Sequence, residues 1–145
     1  MVLRRAERLL GDREAARDVL QEVFVSAIKS HAAFRAAASP STWLYTITTN
    51  ACLQQLRDTR SRASKLEVEG AHLTSDQSPA SSDAMTLLRQ ALRLLPTELA
   101  QVAVHYYVDQ MSHDEIAALL NVSRRTIGNR LEAFQKSARE AGLQP

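Results

Sequence analysis

Little in this chain could support disulfides, a metal site or a β-sheet fold. Cys52 is its single cysteine in 145 residues. One thiol closes no internal disulfide and cannot build a zinc site alone, a usage that fits a reducing cytoplasm. The four histidines, His31, His72, His105 and His113, show no metal-ligand spacing with acids or with Cys52. There is no glycine-rich phosphate loop. Ser112, His113 and Asp114 are adjacent, but sequence neighbours point around a helix rather than at one another. These absences argue against an enzyme and leave no metal or cofactor to expect. Four glycines and 5% aromatics favour helices over a β sandwich. No apolar run approaches the ~20 residues that span a bilayer, so no membrane insertion is expected. The amphipathic N-terminus lacks the apolar core of a signal peptide.

What is present has the composition of an ordinary globular chain, with 45% hydrophobic residues and a net charge of only +2. The distribution of charge is more telling than its sum. Residues 1–62 carry 10 Lys and Arg against 6 Asp and Glu, residues 63–83 carry 1 against 4, and residues 84–145 carry 7 against 6. The acidic segment is also rich in serine and alanine, contains Pro79 and has no periodicity. It reads as a flexible linker. An all-α fold of two small helical domains follows, residues 1–62 and 84–145, joined by 63–83.

Apolar spacing places the helices. Residues 2–10 form a short one ending at Gly11. Asp12 caps the next, which runs to about Ser30 with Ala16, Leu20, Val23, Phe24, Ala27 and Ile28 as its apolar stripe. Glu14, Asp18, Gln21 and Glu22 lie opposite. Ser39 and Pro40 suit an N-cap and first turn, opening a helix from about Ser41 to Arg60. Its Leu44, Ile47, Ala51 and Leu56 point to a core, and Thr46, Asn50, Gln54 and Arg57 form a polar stripe. Met85, Leu88, Leu92 and Leu95 mark a fourth helix that Pro96 ends. Thr97 is expected to cap a fifth, holding Leu99, Val102, Ala103 and Tyr106.

Ser112 to Arg130 carries the sharpest local signal. Ser112 and Glu115 fit a capping box. Ile116, Ala117, Leu119 and Leu120 give an apolar face, Asn121 suits a left-handed helix end, and Val122 is the buried residue of the turn. Ser123 caps a second helix. Arg124, Arg125, Thr126, Asn129 and Arg130 lie on its first turns, and Ile127, Leu131 and Phe134 face inward. The pattern is a helix-turn-helix with a basic N-terminal face, the part from which such a helix reads base edges in the major groove. A solvated arginine face is the plainer reading of the same residues.

The chain as a whole resembles an extracytoplasmic-function sigma factor of the bacterial sigma-70 family. Residues Ala15 to Phe24, A-A-R-D-V-L-Q-E-V-F, are similar to region 2.2 of that family. Ser41 to Arg57, S-T-W-L-Y-T-I-T-T-N-A-C-L-Q-Q-L-R, are similar to regions 2.3 and 2.4. The stretch from L-R-L-L-P-T-E to S-R-R-T-I is similar to region 4. The resemblance implies a subunit that joins core RNA polymerase and directs promoter recognition. Asp18, Gln21 and Glu22 match the face that docks on the clamp helices of the β′ subunit, and region 4 implies contact with the β flap. Asn50, Gln54 and Arg57, with Arg60 and Arg62 following, match the part that handles the −10 element; the loop from about Ala36 to Thr42 corresponds to one that captures an unstacked base. Arg124, Arg125, Thr126, Asn129 and Arg130 match the reader of the −35 element. Trp43 invites a base-stacking role, although its position in the family is more often core, and Phe24 and Phe134 are core by default. An anti-sigma factor that masks both domains is a further implied partner. The chain departs from the family pattern in its short first helix, in Gln54 where aspartate is common, and in Gly128 inside the reading helix. A stand-alone or degenerate helix-turn-helix regulator would explain the C-terminal half alone, but not the Asp18–Phe24 and Trp43–Arg57 patterns.

Overall fold

A computed structural model describes residues 1–33, 39–68 and 83–143. Among them seven α-helices account for most of the chain, and no strand is present. They are α1 (Val2–Leu10), α2 (Arg13–Ser30), α3 (Pro40–Val68), α4 (Asp83–Leu94), α5 (Thr97–Ala103), α6 (His113–Leu120) and α7 (Arg124–Glu140). A 3-10 turn, His31–Ala33, follows α2, and a π-helical turn, Val104–Val108, follows α5.

Local chemistry sets most of the boundaries. Gly11 ends α1 at φ 70°, in the left-handed region, with its N–H donating to Glu7 O. Asp12 then accepts from the N–H groups of Glu14 and Ala15 and starts α2. Ser39 Oγ accepts from Thr42 N at 3.2 Å at the head of α3. Two of the expected bounds differ. α3 runs on to Val68, because nothing between Arg60 and Val68 is a glycine or proline that would stop it. Pro96, not Thr97, takes the N-cap position of α5, and no side chain caps that end. Of the expected linker 63–83, residues 69–82 lie outside the described residues, and Asp83 opens α4.

The helices close around two apolar clusters. The smaller belongs to the helix-turn-helix: Val102, Ile116, Ala117, Ile127 and Leu131, with Met111, Leu120 and Val122 partly buried against it. The larger crosses the whole molecule. Val2, Ala6, Leu9 and Leu10 of α1, Ala16, Val19 and Val23 of α2 and Cys52, Leu53 and Leu56 of α3 share it with Ala91, Leu92, Ala100, Ala103, Val104, Val108 and Phe134. α5 therefore serves both clusters, presenting Val102 to one and Ala100 and Ala103 to the other. Each fully buried leucine here contributes roughly 1.5–3 kcal/mol of burial, so the N-terminal and C-terminal halves stabilise one another.

The expected stripe of α2 is corrected by this packing. α2 meets α1 and α3 on one side only, through Ala16, Val19 and Val23. Phe24 and Ile28, one helical step off that line, stay 53% and 72% exposed, and Val25 beside them 50%. Phe24 is thus surface rather than core. Phe134 is buried as expected, whereas Trp43 is half-buried.

Candidate polymerase and nucleic-acid interfaces

The helix-turn-helix forms as its residues suggest. Ser112 Oγ accepts from Glu115 N at 3.2 Å, and Glu115 Oε2 accepts from Ser112 N at 2.7 Å, closing the capping box. Asn121 takes the left-handed conformation, φ 54° and ψ 48°. Val122 is partly rather than fully buried. Ser123 Oγ accepts from Thr126 N at 3.1 Å and pairs with Thr126 Oγ1 at 2.8 Å, so the Thr126 hydroxyl is already engaged in the cap. The positive end of the α7 dipole and its unpaired N–H groups face the same solvent as the arginines. Arg124, Arg125 and Asn129 are exposed. Arg124 approaches Asp114 at 3.5 Å, an exposed pair of little energetic weight. Arg130 is drawn back toward α5, 3.9 Å from Glu98, with its side chain only 24% exposed. The residues of this face left uncovered are therefore Arg124, Arg125 and Asn129. Gly128 has open space where a Cβ would sit.

On α2, Asp18, Gln21 and Glu22 are exposed. At spacings of three and four they continue into Val25 and Ile28, so the face is acidic and amide at one end and apolar at the other. Sequence periodicity assigned Ile28 to the core and passed over Val25. Carboxylates and an amide beside exposed aliphatic side chains suit a basic helical partner, which can take charge-assisted hydrogen bonds and apolar contact together.

The polar stripe of α3 is placed differently. Asn50 Oδ1 accepts from Gln101 Nε2 of α5 at 2.6 Å. Arg57 Nη2 donates to Leu95 O at 3.4 Å, and Arg60 Nη1 to Arg93 O at 3.3 Å. Both acceptors lie at the C-terminal end of α4, where carbonyls lack helical partners and the dipole is negative. Gln54 bonds along its own helix to Asp58 at 2.9 Å, and Arg62 is exposed. Arg57, Arg60, Lys65 and Arg93 line a cleft of about 860 Å³ that has no acidic residue in its wall. Of the base-capturing loop, residues 36–38 lie outside the described residues; Ser39 is the cap of α3 and residues 40–42 its first turn.

A buried polar cluster joins the halves, and nothing in the local sequence announced it. Arg5 of α1 donates to Thr49 Oγ1 of α3 from Nη2 at 2.7 Å and from Nε at 3.2 Å. It also grips Asp109 through both terminal nitrogens, the Nη2–Oδ2 bond being 2.8 Å. His105 Nδ1 lies 2.8 Å from Asp109 Oδ2. The Arg5 guanidinium stacks 4.8 Å from the Tyr45 ring centroid. The π-helical turn is what aims Asp109: its N–H bonds back five residues to Val104 O. Burial alone would raise the Asp109 carboxyl, but hydrogen bonds from His105 and Arg5 and the charge of Arg5 outweigh it and hold it below the ordinary value. Burial pushes the Cys52 thiol up to about 12, against the opposing charge of Arg5, so it is inert at neutral pH. No group of three or more His, Cys, Asp or Glu able to hold a metal occurs among the described residues, and no described helix is long and apolar enough to cross a membrane.

A helix-turn-helix with an uncovered basic face, in one chain with a helical half bearing a polar cationic stripe, defines a DNA-directed transcription protein. The comparisons make this more specific. Residues 1–62 match the model of Sigma-70 region 2, and residues 85–133 match that of Sigma-70 region 4. The RNA polymerase sigma factor YlaC of Bacillus subtilis is 30% identical over 124 residues, covering 81% of this chain and 72% of the relative. The extracytoplasmic-function sigma factor SigW of the same organism is 29% identical over 150 residues, covering 92% and 80%. SigM of Mycobacterium tuberculosis is 30% identical over 117 residues, and there the match spans 59% of the relative. In fold, the chain is similar to the sigma factor RpoE of Bartonella quintana, solved with the anti-sigma factor NepR: TM-score 0.56, 20% identity, covering 96% of this chain and 88% of that one. The chain belongs to the sigma-70 family of RNA polymerase sigma factors, in its extracytoplasmic-function class.

Proposed function

We infer that the chain binds core RNA polymerase and directs it to promoters. The observation that carries this reading is the presence, in one chain, of both sigma-70 regions with the α7 N-terminal face uncovered. A stand-alone regulator needs only the second region. Asp18, Gln21 and Glu22, extended by Val25 and Ile28, form the surface for the β′ clamp helices, and the region 4 half meets the β flap. Asn50, Gln54, Arg57, Arg60 and Arg62 handle the −10 element, where amides reach base edges and arginines hold phosphates. Arg124, Arg125 and Asn129 read the −35 element, while Thr126 is tied to the capping Ser123 and Arg130 steadies α7 against α5.

The protein works without catalysis of its own: it positions the polymerase and stabilises opened DNA, and the chemistry belongs to the core enzyme. The segment between Val68 and Asp83 acts as the tether between the half that carries α1–α3 and the half that carries α4–α7. Because the fold neighbour was solved with an anti-sigma factor, we assign this chain a partner of the same kind, which takes the faces that polymerase uses. Working with polymerase places the protein in the bacterial cytoplasm, on the nucleoid when active. Pull-down with core polymerase followed by runoff transcription on genomic fragments tests the reading. Initiation at defined start sites is expected. Failure to bind core polymerase, or specific duplex binding as a dimer without it, would replace this reading with the stand-alone regulator.

A further inference from the structure

We propose that the cavity beside the Arg5–Asp109 clasp is a binding site for a nucleotide, a small molecule that joins a short phosphate chain to a flat base. The cavity holds about 730 Å³ and takes its walls from α1, the start of α3, the π-helical turn and α6. That volume is in the range of small-molecule sites and is far more than a lone phosphate ion fills. It shares no residue with the polymerase face of α2 or the reading face of α7. Thr42, at the end of the expected base-capturing loop, is its one residue in common with the DNA-handling parts of α3.

The α1 wall is cationic. Arg4 and Arg8 are exposed and lie one helical turn apart, and among the described residues neither side chain has a hydrogen-bond or ion-pair partner. Like charges at this spacing repel, and a bound polyanion relieves that repulsion. Two adjacent guanidinium forks suit the several oxygens of a phosphate chain. Asp109 is the one carboxylate that the described residues bring to the wall, and Arg5 and His105 already hold it. It therefore does not neutralise Arg4 and Arg8. The remaining walls are of another kind. The C-terminal half contributes Val108, Met111 and Leu119, and α3 contributes Tyr45. The Tyr45 ring is 37% exposed and carries the Arg5 guanidinium 4.8 Å from its centroid. A base stacks on such a ring whatever its identity. A simple anion would need only the arginines; a cationic wall joined to an aromatic and apolar one suits a molecule with both a phosphate chain and a flat body. Because both halves supply walls, the nucleotide binds their joined arrangement and stabilises it as its concentration rises.

The test is calorimetric titration of the full chain without polymerase, with ADP, pyrophosphate and adenosine as separate probes. ADP is expected to bind saturably, and pyrophosphate and adenosine each about tenfold more weakly, since each lacks one part of the contact. Arg4→Ala with Arg8→Ala removes two exposed side chains that hold nothing in the fold; ADP should then bind at least about tenfold more weakly and adenosine unchanged. Tyr45→Leu should weaken ADP roughly fivefold and leave pyrophosphate unchanged. Tyr45 meets Arg5, so the paired arginine variant decides the matter if Tyr45→Leu does not fold. Leu119→Glu, which sets a carboxylate in the wall from the other half, should weaken ADP about tenfold. No saturable ADP binding, pyrophosphate bound as tightly as ADP, or undiminished ADP affinity in the arginine variant or in a folded Leu119→Glu variant would each overturn the proposal. A single-stranded oligonucleotide that displaces ADP and binds more tightly would overturn it as well, because Arg4 and Arg8 would then serve DNA. None of these outcomes depends on the sigma reading, which runoff transcription tests separately.

Discussion

Two surfaces of this chain are suited to DNA, and they differ in what covers them. The face at the N-terminus of α7 stands on a small local cluster and is open: Arg124, Arg125 and Asn129 are exposed. The α3 stripe lies over the large cluster that both halves share, and three of its residues bond to the opposing half. A reading face built from contiguous residues is ready when the segment folds. One placed between two units is available only when the units separate.

The strongest way to break the comparison is at the clasp. Arg5→Ala leaves Asp109 without its ion partner in a largely buried setting, and about 3 kcal/mol of stability should be lost, read by urea denaturation. Arg5→Lys should recover part of this, since lysine cannot reproduce the fork to Asp109 and Thr49. Next comes the open face. Arg125→Ala should weaken binding of a −35 duplex by ~1–3 kcal/mol if it meets a base edge, with no change in the compactness of the free chain; titration of holoenzyme against wild-type and base-substituted duplexes checks it. Gly128→Ala sharpens the same face. A Cβ there meets nothing, so helix stability should rise by ~1 kcal/mol in thermal unfolding; a simultaneous loss of duplex affinity would show that DNA approaches the bare backbone at that point.

The smallest effect at neutral pH comes from titration. The Asp109 carboxyl is lowered in the fold, so its contribution is fully present above the unfolded value of ~3.9 and is lost as pH falls through the folded value. The part of the clasp that rests on the Asp109 charge should thus be lost only below about 4. Asp109→Asn should flatten that acid limb in a pH series of scattering measurements; an unchanged acid limb would assign the loss to other carboxylates.

What could be read from sequence follows from distance along the chain. Asp12, Ser39, Ser112 with Glu115, Asn121 and Ser123 act on groups within a few residues, and each takes the position its chemistry suggests. The resemblance carried the family. The stripe of α2 was too wide because periodicity shows which residues are apolar, not how many sides of a helix are covered; Phe24 and Ile28 stay in solvent for that reason. The clasp was out of reach, since Arg5 and Asp109 are 104 positions apart and meet only through the π-helical turn. Likewise, the occupancy of Asn50, Arg57 and Arg60 is a property of how the halves pack and leaves no mark on the stripe itself.

The most direct test of this account is a distance. Spin labels at Glu14→Cys on α2 and Glu132→Cys on α7 sit on exposed positions, while the thiol of Cys52, buried and raised to about 12, stays unlabelled. Pulsed dipolar measurement should give one short, narrow distance in the free chain and one longer by tens of ångströms in the polymerase complex on promoter DNA. The same short distance in both states would contradict the claim that the α3 stripe is uncovered by separation of the halves.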